Sequence, residues 1–242
     1  MPSDTLDFAH RAHLTELIDG PCPREELRRC LHDVARLNRW FLGYRPTLEW
    51  LASVVPLIAA PLRPVRILDV GCGYGDGLRR IERWAHARGI SVELTGIDIN
   101  PDAVAIAAEA SPPASGIRWI AADAFAFTPA QPADFVVSAL FTHHLAENDV
   151  VRFLQWMEQH AAHGWFINDL SRAAAPYLLL RMFAKLARLH PFVQHDGPVS
   201  IARAFVPGDW QRMCIAAGLN GHAVAIEQFW PARLCVARSK PQ

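Results

Sequence analysis

The run Val65-Arg66-Ile67-Leu68-Asp69-Val70-Gly71-Cys72-Gly73-Tyr74-Gly75-Asp76-Gly77 constrains this chain more than any other part of it. A mostly apolar, β-favouring segment meets alternating glycines, which reads as a buried strand, a tight turn and the start of a helix. Glycine lets the backbone turn sharply and lets a ligand approach where a Cβ would collide. A dinucleotide fingerprint, G-x-G-x-x-G, needs glycine at 76, but Asp76 stands there and the spacing is G-x-G-x-G. Asp69 and Asp76 bring negative charge to where a pyrophosphate would lie. An acidic strand end suits a positively charged amino group instead.

The turn has partners downstream. Gly96-Ile97-Asp98-Ile99-Asn100 closes the second strand, where the Asp98 carboxylate can accept from both hydroxyls of a ribose. Ala122-Asp123-Ala124-Phe125 follows the third strand. In order and spacing, residues 65–141 closely resemble the class I S-adenosylmethionine-dependent methyltransferases. The resemblance implies that S-adenosyl-L-methionine is the cofactor. It assigns Asp69, Gly71, Cys72, Gly73 and Gly75 to the cofactor's amino-acid end and ribose, Asp98 and Ile99 to the ribose, and Asp123 and Ala124 to the adenine. It also places Ala139 and Leu140, after the fourth strand, beside the cofactor. Arg45, in Gly43-Tyr44-Arg45-Pro46, is a candidate for the cofactor's carboxylate, and a surface arginine is the alternative.

Around this motif short β-rich runs alternate with helix-length segments, the pattern of a mainly parallel sheet. Strands are expected over 65–70, 92–97, 117–121, 135–138 and 164–168, with helices over 77–88, 101–110 and 148–160. Asn100-Pro101-Asp102 marks a helix N-terminus. A helix is expected over 207–217, and runs 222–228 and 233–237 should pair as an antiparallel hairpin. The fold class is therefore α/β: a Rossmann-like three-layer sandwich with a mostly parallel seven-stranded sheet. Residues 1–62 form an N-terminal helical segment and 63–242 the S-adenosylmethionine-binding domain. A helical lid insertion falls at about 173–206, with a helix over 176–189 and then a loop punctuated by Gly197-Pro198.

Ligands of open parallel sheets sit beyond the carboxyl ends of the strands, so the loops after strands four and five should face the transferable methyl. Ser138-Ala139-Leu140-Phe141-Thr142-His143-His144-Leu145 replaces the Asn- or Asp-Pro-Pro-aromatic tetrapeptide of enzymes resembling this family that methylate nucleic-acid amino groups, which argues against DNA bases. Asn168-Asp169 offers one carboxylate where catechol methyltransferases of the family hold magnesium with more, so no metal is expected to be required. A hydroxyl nucleophile must lose a proton, and histidine is the ordinary acceptor near neutrality. His144 or His143 is the candidate base, with His144 preferred, and packing or turn capping is the alternative role. Asp169 and Arg172 are candidates to orient the histidine or the substrate, or to pair with each other. His195, Arg203 and Phe205 are candidates to close over an aromatic acceptor, although Gly-Pro turns with a salt bridge also occur as plain loop structure.

The segment 177–189 is apolar with Arg181, Lys185 and Arg188 on one side, fitting a pocket wall or dimer face better than a membrane surface. With Asn168-Asp169-Leu170-Ser171-Arg172 and the 197–205 stretch, the chain is also similar to bacterial small-molecule methyltransferases of polyketide and phenolic-lipid pathways. That likeness implies oxygen methylation of an aromatic or enolic acceptor, with carbon or nitrogen methylation left open. Lys plus Arg and Asp plus Glu number 24 each, so no net field draws the chain to nucleic acid or an acidic membrane. The five cysteines show no metal or disulfide spacing, and Met1-Pro2-Ser3-Asp4 opens no secretory signal. Pro56 and Pro61 break the apolar stretch 51–62, so no stable membrane insertion is expected. A cytoplasmic monomer or homodimer acting on a small-molecule methyl acceptor is the expectation. An NAD-dependent oxidoreductase and a non-catalytic S-adenosylmethionine binder are the competing classes.

Overall fold

The computed structural model describes residues 7–58, 63–219 and 224–240. Residues 1–4, the end of the apolar stretch at 59–62, and the start of the expected strand at 222–223 lie outside the described residues.

Seven strands form one sheet: β1 (Val65–Val70), β2 (Val92–Asp98), β3 (Arg118–Ala121), β4 (Ala133–Ala139), β5 (Ala161–Leu170), β6 (Ala225–Phe229) and β7 (Arg233–Ser239). Their order is β3-β2-β1-β4-β5-β7-β6. The first five are parallel, and β7 runs antiparallel to both β5 and β6. The chain winds outward from β1 to β3 and then returns to place β4 on the other side of β1. That reversal opens a crevice at the carboxyl ends of β1 and β4, the place where such sheets take ligands.

Among the described residues eight helices flank the sheet: α1 (Arg24–Trp40), α2 (Arg45–Ile58), α3 (Asp76–His86), α4 (Pro101–Glu109), α5 (Glu147–His160), α6 (Ala174–Leu186), α7 (Pro191–Arg203) and α8 (Pro207–Ala216). Period-two alternation sorts the strand residues onto two cores. Ile67, Phe135, Phe166 and Cys235 pack against Leu51 and Val55 of α2 and Leu78 and Ile81 of α3. Leu68, Val136, Trp165, Ile167 and Leu234 pack against Phe153 and Met157 of α5 and Trp210 of α8. Each such fully buried side chain contributes about 1.5–3 kcal/mol of transfer free energy. The result is the three-layer arrangement expected from the sequence. Asn100 caps α4 as expected, its side-chain oxygen accepting from the Asp102 amide at 2.9 Å.

The expected loop at Gly197-Pro198 is a helix instead, because α7 runs through both residues. Pro191 at its first turn and the His190 ring, which accepts from the Phe192 amide, start the helix. Gly197 serves packing rather than turning: a Cβ there would stand 3.1 Å from Leu180 Cδ2, so its absence lets α6 close on α7. Pro56 likewise lies within α2 without ending it. No helix among the described residues is long and apolar enough to cross a membrane.

The glycine turn is set by sterics. Gly75 has φ +73° and caps α3, and a Cβ there would collide with the Trp119 ring. Gly75→Ala should cost about 2–4 kcal/mol, combining a left-handed non-glycine residue with overpacking. Equilibrium denaturation of the purified variant measures it, and a loss below half a kcal/mol would show that Trp119 gives way freely.

Candidate active site

A cavity of about 1090 Å³ opens above the carboxyl ends of β1, β2 and β4. The glycine turn forms its floor, and residues of α1, α6 and α7 wall it, among them Leu31, Leu180, Phe183 and Ile201. Of the residues assigned to the cofactor, Asp69, Gly71, Cys72, Gly73, Asp98, Ile99, Asp123, Ala124, Ala139 and Leu140 line this cavity. Gly75 is not in the lining and shapes the turn from behind, while Arg45 is away from it, exposed and paired with Glu49 at 2.6 Å. Arg45 therefore does not reach a cofactor carboxylate here, because the start of α2 carries its side chain to the surface.

The carboxylates at the strand ends differ in their partners. Asp98 accepts from the amides of Gly73 and Asn100, both at 2.9 Å, yet burial raises its carboxyl above the ordinary range against those bonds. Asp123 accepts from the Phe125 amide at 2.9 Å, an Asx turn that holds the loop after β3. Burial, with Asp98 nearby, pushes Asp69 up to about 8. Asp76 is pushed up to about 6 by burial, and its Oδ2 has no hydrogen-bond partner among the described residues. Arg233, at the start of β7, also lines the cavity, and its buried Nη1 is likewise without a partner there. Its Nη2 donates to Asn38 Oδ1 at 2.5 Å.

At the other end of the cavity the loop after β4 turns through Leu140, which has φ +53°, into a 3-10 turn over Thr142–His144. Asp169, at the end of β5, collects this turn. It accepts from Thr142 Oγ1, from the His143 amide at 3.0 Å and from His143 Nδ1 at 2.7 Å. Burial opposes ionisation of Asp169, but His143 and these hydrogen bonds hold its carboxyl well below the usual range. Asp169 is thus behind His143 and does not line the cavity, whereas His143 and His144 do.

The N-terminal segment completes the site. Glu16, 3% exposed, faces both rings, with Oε1 3.7 Å from His143 Nε2 and Oε2 3.8 Å from His144 Nε2. Asp19 lies 3.1 Å from His144 Nδ1. Burial pushes Glu16 up to about 7 despite His144 and Arg203, while the hydrogen bond to His144 leads in holding Asp19 at about 2. No sequence motif marked Glu16 or Asp19, because their partners lie far along the chain.

The residues expected to hold substrate act as framework. Arg203 donates to Asp19 Oδ2 at 3.0 Å and to the His144 carbonyl at 3.3 Å, outside the cavity lining. Arg172 donates to the Ala204 carbonyl at 2.8 Å and pairs with Asp209 at 3.3 Å, so it does not pair with Asp169. Phe205 is buried against Trp210, with the Arg11 guanidinium 4.3 Å above its ring. His195 is half-exposed on α7 and bonds Asp196 Oδ1 at 2.7 Å, turned away from the cavity that Asp196 itself lines. His195, Arg203 and Phe205 were expected to close over an acceptor and Arg172 to orient the substrate or the histidine, but Arg172, Arg203 and Phe205 instead hold α7 and its exit.

Residues 67–164 match a family model described as a methyltransferase domain. The chain belongs to the class I S-adenosylmethionine-dependent methyltransferases. It is 47% identical over 172 residues to a trans-aconitate 2-methyltransferase of Streptomyces avermitilis, covering 67% of this chain and 61% of that protein. A trans-aconitate 2-methyltransferase of Klebsiella pneumoniae is 31% identical over 121 residues, covering 50% of this chain and 42% of the relative. The chain thus spans about two-fifths to three-fifths of the length of these curated relatives. Among solved structures, the plantazolicin methyltransferase BpumL in complex with S-adenosylhomocysteine superimposes with TM-score 0.60 at 13% identity, covering 89% of this chain and 96% of that one. The magnesium protoporphyrin IX methyltransferase of Synechocystis PCC 6803 gives 0.53 at 14% identity, covering 83% and 84%. These two likenesses establish the shared fold.

S-adenosylmethionine is the family's cofactor, and the donor set here fits it. A buried, unneutralised Asp69 beside a glycine turn calls for a cation, and Asp98 lies at the end of β2, where the resemblance expects the ribose. Because the folded pKa of Asp69 lies above its ordinary value, its contribution to stability is present at low pH and lost as pH rises toward about 8. In the ligand-free protein, Asp69→Asn should gain thermal stability over the parent as pH is raised from about 5 to about 9. Calorimetry should show its S-adenosylhomocysteine affinity reduced at least about tenfold, the size of one lost charge-assisted hydrogen bond, and no heat with NAD for either protein. Unchanged affinity would remove Asp69 from the site.

Proposed function

We propose that this chain transfers the methyl group of S-adenosylmethionine to a hydroxyl oxygen of a small aromatic or enolic metabolite. The observation that carries this reading is that Glu16, His143 and His144 face the same cavity as the glycine turn and the carboxylates of the strand ends. A non-catalytic binder has no use for a chamber that continues past the cofactor residues to a buried imidazole pair.

When bound, the cofactor supplies a sulfonium methyl that an oxygen lone pair takes in line, the C–S bonding electrons leaving on sulfur. The protein's part is positioning, exclusion of water and removal of the hydroxyl proton. Leu179, Leu180 and Phe183 of α6 and Val193 and Ile201 of α7 provide apolar walls against which a ring can lie. His144 is the more accessible of the two imidazoles, with 27% side-chain exposure against 3% for His143. Its Nδ1 is held by Asp19, so Nε2 is the atom free to take the acceptor's proton, with Glu16 next to it. Asp169 fixes His143 and through it the turn that presents His144. In this reading residues 173–206 work as the lid over the acceptor, on a chain that acts in the cytoplasm.

His144→Ala should lose about 10²–10⁴ in kcat while retaining S-adenosylhomocysteine affinity, and the defect should shrink for acceptors with more acidic hydroxyls. Turnover unchanged across a panel of phenols and enols would refute proton removal at this residue. Methyl transfer only to carbon or nitrogen acceptors in the same labelled-cofactor screen would replace the oxygen assignment.

A second reading rests on Arg233. The curated relatives are named for an acid acceptor, and the unpartnered Nη1 of Arg233 at the cavity wall favours a carboxylate-bearing acceptor here as well. A carboxylate nucleophile is already ionised and needs no base. On this reading Arg233→Gln raises KM for carboxylic-acid acceptors by about 10–100-fold, as expected for one buried charged hydrogen bond, and leaves neutral phenols unaffected. Steady-state kinetics on matched acid and ester acceptors decides between the two readings.

A further inference from the structure

Three acceptor atoms converge in the wall of the cavity. His143 Nδ1 donates to Asp169, whose carboxylate accepts at every other contact, from Thr142 Oγ1 and two backbone amides. His144 Nδ1 likewise lies against Asp19, which is also taken by Arg203. Each neutral ring therefore carries its lone pair on Nε2. Both Nε2 atoms point at Glu16, at 3.7 and 3.8 Å, beyond hydrogen-bond reach. The three donor atoms lie within 4.8 Å of one another.

Lone pairs facing lone pairs in a buried site repel unless a positive charge stands between them. The surrounding charges do not supply it in full. Glu16, Asp19 and Asp169 are three carboxylates, whereas the cationic groups against the cluster are Arg203, 3.5 Å from Glu16 Oε1, and Arg11, which donates to the carbonyls of His143 and Leu145. Ser200 Oγ also donates to Glu16 Oε1 at 3.0 Å, leaving Oε2 the less engaged oxygen.

We propose that Glu16, His143 and His144 form a three-donor site for a divalent first-row transition cation whose open coordination positions face the acceptor chamber. Zinc bonds of about 2.0–2.1 Å with tetrahedral angles place donors roughly 3.3–3.4 Å apart. The two Glu16–imidazole separations, each to a different carboxylate oxygen, are 3.7 and 3.8 Å, and the three donor atoms lie within 4.8 Å, so side-chain adjustment of up to about an ångström closes the site. The Asp169–His143 and Asp19–His144 hydrogen bonds match the outer carboxylates that fix a metal-binding imidazole's tautomer and raise its basicity. Two imidazoles and one carboxylate select zinc, cobalt, iron, nickel or manganese over magnesium and calcium, which prefer all-oxygen sites. This inference departs from the expectation of no required metal, which weighed only Asn168-Asp169 and did not include Glu16. It rests on the reading that the acceptor ionises at this cluster, and it puts a cation where that reading puts the proton. A hydroxyl or enol oxygen bound at an open position loses its proton more readily, and the proton leaves to solvent.

The test is calorimetry of chelator-stripped, full-length protein with zinc and, separately, magnesium. One equivalent of zinc should bind with release of protons, and magnesium should give no heat. Glu16→Gln and His144→Ala should each weaken zinc binding at least 100-fold, and Asp19→Asn about 10–100-fold, all with S-adenosylhomocysteine affinity at the parent value. Cobalt should give visible d–d absorption in the parent that Glu16→Gln lacks, which keeps the test valid should the histidine variant misfold. No stoichiometric zinc uptake by parent protein that binds S-adenosylhomocysteine would overturn the site, as would equal uptake by parent and Glu16→Gln. Methyl transfer undiminished in the stripped enzyme and unaffected by zinc would overturn the role of the cation but keep the methyltransferase reading. Zinc bound at the cluster with no acceptor methylated in any form would do the reverse.

Discussion

A carboxylate taken fully out of water must be met by donors, and Asp169 meets that demand by drawing the loop after β4 onto the end of β5. Thr142, the His143 amide and the His143 ring all give hydrogen bonds to it. Losing any of these donors would leave a buried charge short of partners, a cost of about 1–3 kcal/mol or more. The strained turn at Leu140 is held by the same demand. Where His143 and His144 stand in the chamber follows from this one carboxylate and from the parallel pairing of β4 with β5, which aligns Ala139 with Asn168.

The charged groups around the cavity fall into two kinds. Asp19 and Asp169 are paired and held ionised by their surroundings. Asp69, Asp76 and Arg233 are buried with unmet capacity, and Glu16 faces His143 with one oxygen and His144 with the other across gaps too long for hydrogen bonds. Protein interiors rarely tolerate the second kind without a ligand. They separate into two places: Asp69 and Asp76 at the glycine turn, with Arg233 close enough to Asp76 to act on its charge, and Glu16 where the N-terminal segment meets the turn after β4. That division matches a chamber with one end for a cationic cofactor and another for the reacting group of an acceptor.

The N-terminal segment has a larger part in the site than its lack of motifs implied. Arg11 ties it to the His143 and Leu145 carbonyls and to the Phe205 ring, and Asp196 of α7 receives the amides of Leu17 and Ile18. These contacts seat α7, in a stretch expected to be a loop, against the N-terminal segment. Arg172, Arg203 and Phe205, polar or aromatic residues that looked suited to gripping a substrate, are spent on that framework.

The glycine turn, its following helix and the alternation of strands were legible in the chain because each depends on residues within a few positions of one another. A Cβ either fits beside Trp119 or does not, and a strand covered on both faces is buried along nearly its whole length, as β1 and β4 are. The carboxylates Asp69, Asp98 and Asp123 could be placed at strand ends by the same local rules. Tertiary structure alone decided that Arg45 points outward, that Gly197-Pro198 lies inside a helix, and that Glu16 and Asp19 meet two histidines more than 120 residues away in the chain. Those outcomes depend on which surfaces pack together, and the free energy of a contact between distant segments leaves no periodicity in the sequence of either one.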